Sequence, residues 1–216
     1  MPGRPVPLIT GEIYHVYNRG HNKRTIFLAP RDYKRFKQTI YYYQFKGPKI
    51  RFSRFNKDIL NNFLPIKNEK LVEILGFCLM PNHFHLQLKQ LQDDGISIFM
   101  SQIQNSYTKY FNTKYQSIGP LLQGCFKSRI IEDENQLTHL NRYIHLNPIV
   151  SGQSKDLESY PWSSYIEYST RAELICSTEL ISSFFPSIKD FTKFHTSQID
   201  YAMTLEILKH SAIDND

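Results

Sequence analysis

The sequence predicts an α+β fold: an antiparallel sheet with a histidine-bearing strand inside it and helices packed on one face. Three observations predict it. Residues 83–89 alternate strictly, with His83, His85, Gln87 and Lys89 on one side of a strand and Phe84, Leu86 and Leu88 on the other. Met80-Pro81-Asn82 is turn chemistry between that run and an apolar run before it, which reads as a hairpin. Other stretches repeat apolar residues at helical spacing.

Taken in order, Leu8 to Arg19 reads as the first strand, centred on Ile13-Tyr14-His15-Val16-Tyr17, and residues 18–24 as a polar, basic turn. A helix is expected from about Pro30 to Phe45. Pro30, Arg31 and Asp32 suit its first turn, and Tyr33, Phe36, Ile40 and Tyr43 form its apolar stripe. Tyr41, Tyr42 and Tyr43 are consecutive and point in different directions on a helix, which favours packing over a shared chemical task. Lys46 to Lys70 has no period and reads as a loop or insertion. Leu71 to Leu79 is a second strand.

A second helix is expected from about Ile96 to Tyr110, with Tyr107 and Tyr110 on its core-facing stripe. The run 125–130 reads as a further strand with Lys127 and Arg129 on the same side. Asp133-Glu134-Asn135 opens a third helix, expected to reach Asn147 and to stop at Pro148. Leu137, Leu140 and Ile144 are its buried stripe, while His139, Tyr143 and Asn147 lie four apart on a different face. Residues 160–165 read as a closing turn that drops the only tryptophan, Trp162, into the core. Residues 1–169 are expected to form the main domain and 170–216 a C-terminal helical extension.

A chain of 216 residues has room for one core and such an extension. The formal net charge is +6 and aromatic residues make up 14%, a composition that suits phosphate backbones and stacking on unpaired bases. Cys78, Cys125 and Cys176 are too few and too widely spaced for a disulfide framework or a C-x-x-C zinc site, so free thiols are expected. No apolar run has the length of a membrane span, and the start lacks a signal-peptide core. A cytoplasmic, nucleoid-associated protein is the expectation.

Two imidazoles one residue apart on one side of a strand can share a metal ion. A His-x-His pair alone is weak evidence; a helix presenting Tyr143 and Asn147 one turn apart strengthens it. Two neutral imidazoles and a neutral amide oxygen would hold a divalent cation without cancelling its charge. Such a cation would bind and polarise a phosphate, and the tyrosine would supply the nucleophile. The phenol has a reference pKa of about 10, so it needs nearby positive charge.

These residues carry a resemblance. Met80-Pro-Asn-His-Phe-His-Leu86 resembles the His-hydrophobic-His motif of the single-tyrosine HUH transposases, and Arg142-Tyr-Ile-His-Leu-Asn-Pro148 resembles their nucleophile helix. Tyr14-His-Val-Tyr-Asn-Arg-Gly20, Gly119-Pro-Leu-Leu-Gln-Gly-Cys-Phe-Lys-Ser128 and Tyr160-Pro-Trp-Ser-Ser164 are similar to segments of one group among them, the REP-associated tyrosine transposases. The matches keep the family order from about residue 14 to 164. The resemblance implies a ferredoxin-like sheet, His83, His85 and Asn147 as ligands of Mg²⁺ or Mn²⁺, and Tyr143 as the nucleophile. It implies site-specific nicking and joining of single-stranded DNA beside a hairpin, through a 5′-phosphotyrosine that leaves a free 3′-hydroxyl.

Arg19, Arg24, Lys127 and Arg129 are the candidate DNA contacts because they lie in or beside the family-like segments. His145 is expected to be structural or on the surface. Monomer and homodimer both remain open. One alternative is a non-catalytic, domesticated binder of DNA hairpins. Another, a phosphoesterase built on two His-x-Ser/Thr motifs, lacks its second motif.

Overall fold

Alternation in residues 83–90 becomes a strand, and the apolar run before it becomes its hairpin partner. The computed structural model describes residues 7–47, 52, 69–170, 175–199 and 201–203. Its order is β1 (Ile13–Arg19), α1 (Pro30–Tyr43), β2 (Val72–Met80), β3 (His83–Gln90), α2 (Gly95–Tyr115), β4 (Lys127–Ile130), α3 (Glu134–Val150), α4 (Tyr165–Thr170), α5 (Glu179–Ser182) and α6 (Ile188–Thr196). Among the first six elements, the four strands form an antiparallel sheet in the order β2-β3-β1-β4, and α1 and α2 connect them. This is the split β-α-β arrangement expected of a ferredoxin-like fold. Most of the loop expected over Lys46–Lys70 lies outside the described residues.

Helices α1 and α2 pack on one face, as expected. Tyr14 and Val16 of β1 and Phe84, Leu86 and Leu88 of β3 meet Phe36 and Ile40 of α1 and Phe99, Ile103 and Tyr107 of α2. Asp32 ties the two helices together. Its Oδ2 accepts the N–H groups of Leu28 and Ala29, both at 2.9 Å, as half of a capping box, and the Tyr115 hydroxyl at 2.7 Å. Its Oδ1 accepts the Tyr110 hydroxyl at 2.9 Å and the Lys114 ammonium at 2.6 Å.

The opposite face is covered too. Helix α3 lies across it, and Leu75, Leu137, Leu146 and Ile149 share a second core with Tyr165, Tyr168, Ile181 and Phe191. The described part of the C-terminal extension thus packs on α3. Two details differ from expectation. Proline does not stop α3, which runs to Val150 with Pro148 inside it. A proline so near the C-terminus forfeits only its own N–H bond, and burial of Pro148 and Ile149 holds the last turn. Trp162 is half-buried rather than central, stacked on Tyr33 with ring centres 4.6 Å apart.

Buried amides seat α3 on the sheet. Gln87 of β3 donates from Nε2 to the Leu137 carbonyl at 2.9 Å, and Asn141 Nδ2 donates to Gln87 Oε1 at 3.0 Å. Gly76 lies opposite Gln87, where an added Cβ would come within 3.0 Å of Asn141 Nδ2. Gln87→Leu keeps the volume but strands both partners, so we expect a loss of about 2 kcal/mol in urea unfolding. An unchanged midpoint would show that the amides do not seat the helix.

A second polar chain joins α3 to α6. His195 Nδ1 lies 2.9 Å from the Phe191 carbonyl, which can only accept, so that nitrogen is protonated. His195 Nε2 then accepts from His145 Nδ1 at 3.1 Å, and His145 Nε2 accepts from the Ser164 hydroxyl at 2.8 Å. Every position is satisfied with both rings neutral. Burial lowers the pKa of both, that of His195 to about 4. In the unfolded chain they titrate near 6.5, so acid favours unfolding once pH falls below that value. We expect stability to fall by about 1.4 kcal/mol per pH unit for each histidine from pH 6.5 toward the folded-state pKa. Urea titrations across that range check it, and His195→Phe should flatten the slope.

Candidate active site

Pairing register assembles one polar face on the sheet. Residues directly opposed in antiparallel strands share a face. Tyr17 opposes His85, His15 opposes Gln87 and Arg19 opposes His83. On the other edge of β1, Lys127 opposes Tyr17 and Arg129 opposes His15. Arg19, Lys127 and Arg129 therefore lie on the face that carries His83 and His85. Arg24 does not join them: it reaches Ser117 Oγ at 3.5 Å and lies over the Phe111 ring, at the end of α2.

Neighbours orient the two strand imidazoles. His83 Nδ1 lies 2.7 Å from Asn82 Oδ1; an amide oxygen accepts, so the proton is on Nδ1 and Nε2 keeps its lone pair. His85 Nδ1 lies 2.8 Å from His15 Nε2, again leaving Nε2 of His85 outside that bond. The rings of His83 and His85 stand 5.0 Å apart at 87°. His15 was not singled out from the sequence. Alternation in residues 13–19 shows that it shares a side with Tyr17, but only the pairing of β1 with β3 brings it to His85.

Electrostatics keep these rings neutral. Burial lowers the His15 pKa to about 4, with Arg129 adding to the effect. Burial also holds His85 well below its usual value, aided by His15 and His83. His83 is lowered by burial and by Arg19, with Asn147 working the other way. A neutral imidazole is the form that binds a cation.

Helix α3 brings the remaining candidates. Tyr143, 49% exposed, meets the His85 ring edge-on at 5.6 Å and the His15 ring at 6.1 Å. One turn on, Asn147 donates from Nδ2 to the Tyr143 carbonyl at 2.7 Å and lines one cavity together with His83 and Tyr143. Tyr143, Asn147, His83 and His85 thus come together within one subunit. Among the described residues no three His, Cys, Asp or Glu side chains group to hold a metal. The donors here are two imidazoles and an amide, which fits a cation that keeps open positions for water or a phosphate.

The other tyrosines considered are placed elsewhere. Tyr107 is fully buried and donates to the Ile26 carbonyl, and burial pushes the Tyr42 phenol up to about 12, the wrong direction for a nucleophile. His139 touches Arg142 at 3.1 Å, and His145 is buried in the chain to α6. Cys78 and Cys176 are buried and Cys125 exposed, all three as free thiols.

Sheet, crossing helix and polar face together define a class, an α+β protein whose antiparallel sheet carries paired imidazoles beside a helix-borne tyrosine. Residues 38–147, about half of the chain, match the family described as Transposase IS200 like, and the chain belongs to that family. A protein of Haemophilus influenzae (strain ATCC 51907 / DSM 11121 / KW20 / Rd) with the provisional name REP-associated tyrosine transposase is 30% identical over 105 residues. The match covers 43% of this chain and 58% of that protein, so less than two thirds of the relative is spanned. A solved structure of a REP-associated tyrosine transposase bound to a REP hairpin superposes with a TM-score of 0.55, over 81% of this chain and 88% of that one. At 18% identity that likeness is one of fold. No helix among the described residues is long and apolar enough to cross a membrane.

Proposed function

We propose that this protein cuts and rejoins single-stranded DNA beside hairpins, through a covalent 5′-phosphotyrosine on Tyr143 and with Mg²⁺ or Mn²⁺. The observation that carries this reading is the meeting of Tyr143 with His83, His85 and Asn147 in one subunit. The REP hairpin bound by the structural relative supports the choice of substrate.

His83 and His85 offer Nε2, and Asn147 offers its amide oxygen, to the cation. When bound, the cation neutralises charge on the phosphodiester and makes its phosphorus more electrophilic. Tyr143 attacks phosphorus in line, its phenol proton leaves to solvent, and the bond to the 3′-oxygen breaks. That oxygen takes a proton from water and becomes a free 3′-hydroxyl. Tyr143 now holds the 5′-phosphate as an ester. A 3′-hydroxyl can attack this ester and release the phenol, so joining needs no nucleotide cofactor. Arg19, Lys127 and Arg129 add positive potential along the strand's path.

The test uses labelled single strands carrying palindromes from beside its gene, with Mn²⁺ and a denaturing gel. A covalent protein–DNA band is expected, along with a nicked product. His83→Ala should reduce both by roughly 10–100-fold or more. Imidazole ligands favour Mn²⁺ over Mg²⁺, so Mn²⁺ should support more cleavage at equal concentration. Hairpin binding with no nicking in either metal would favour the non-catalytic alternative.

A further inference from the structure

A cavity of about 370 Å³ opens beside Tyr143, between α3 and the C-terminal segment. We propose that it holds the nucleobase of a nucleotide flanking the cleaved phosphate, so that the C-terminal extension helps to choose where the strand is cut. This rests on the cleavage reading above.

Position is the first argument. Tyr143, His83 and Asn147 form one wall of the cavity. A phosphate held at those side chains leaves its flanking base within reach of this hollow. The volume is that of a small-ligand site. The chemistry of the walls is the second argument. Leu146, Val150 and Ala202 make an apolar slot suited to a flat heterocycle. Tyr201 also lines it, 62% exposed, and offers an aromatic face for stacking. Gln198 also lines the cavity, and its side-chain amide carries both a donor and an acceptor with which to read a base edge.

Charge is the third argument. Arg142 lines the same cavity and is held in place. Its guanidinium donates to the Phe194 carbonyl at 3.2 Å and to His139 Nδ1 at 3.1 Å, and stacks 4.2 Å from the Phe194 ring centre. A cation fixed beside an apolar slot suits a nucleotide, which brings an anionic backbone with its base. The residues that shape the hollow come from α3 and the extension. Neither the proposed metal ligands nor the nucleophile need Gln198 or Tyr201, so the cavity can be altered without touching them.

The test separates this proposal from the cleavage reading. Protein carrying Tyr143→Phe selects from a pool of oligonucleotides in which a hairpin is flanked by randomised single strands. Retained strands should show base preferences at several positions. Adding Gln198→Ala and Tyr201→Ala should erase the preference at one position only and weaken binding of the selected strand roughly tenfold. An abasic site at that position should then bind the parent and the altered protein equally well. Preferences that survive both substitutions would overturn the cavity assignment. Covalent adduct formation on the selected strand by protein with Tyr143 intact reports cleavage separately. Its failure alongside a lost preference removes the reaction but leaves the base site; no enrichment at any flanking position overturns the base site and leaves the cleavage reading to the adduct.

Discussion

Tyr143→Phe should abolish the covalent protein–DNA band and lower nicking by at least roughly a thousandfold, while hairpin binding stays near that of the parent. The substitution removes one oxygen and keeps the ring that meets His85 and His15. Because the side chain is half-exposed, thermal unfolding should shift little. The effect on nicking is large because no other described tyrosine combines this reach with these neighbours. Tyr17 shares the sheet face and lies 5.8 Å from the His85 ring, but it is fixed to a central strand with Lys127 opposite it. If nicking survives in Tyr143→Phe at more than a few per cent, another nucleophile or an activated water does the chemistry.

The largest expected effect on stability lies on the opposite side of the sheet. Asp32→Ala should destabilise the fold by about 3 kcal/mol, or lower Tm by about 6–12 °C. Asp32 is fully buried and satisfies five donors, among them two hydroxyls and an ammonium from α2. Removing it strands those donors. Lys114 keeps 28% of its side chain exposed, so Lys114→Met should cost much less. Burial alone would raise the Asp32 pKa. The hydrogen bonds from Lys114, Tyr115, Tyr110 and the Ala29 N–H outweigh it and hold the carboxyl below its usual range. Its contribution is therefore present at neutral pH and lost as pH falls below about 4 toward the folded-state value. Strand nicking by Asp32→Ala at low temperature should remain, since Asp32 ties α1 to α2 and touches nothing on the histidine face.

Much of this arrangement was legible in local pattern. Period-two alternation identified β3 and the side that carries its histidines, and a four-residue spacing put Tyr143 and Asn147 on one helix face. What local pattern omits is the neighbour. Nothing in residues 13–19 says that β1 will pair with β3, so the His15–His85 contact appears only with the register. The second helical layer left a signal that is easy to read in retrospect. From Ile74 to Met80 every residue of β2 is apolar or glycine, and such an unbroken run marks a strand covered on both faces, as its burial at each of these positions bears out. Pro148 was misleading because a proline is costly in a helix interior but cheap in its last turn. His145 and His195 are far apart in sequence, and only the docking of α6 on α3 makes them a pair.

The most direct measurement is peptide mapping, by mass spectrometry, of the covalent adduct trapped with Mn²⁺ and nuclease-trimmed single-stranded DNA. A nucleotide joined through its 5′-phosphate to Tyr143 is the predicted result. A nucleotide on Tyr17 or any other side chain, or one joined through a 3′-phosphate, would contradict the account.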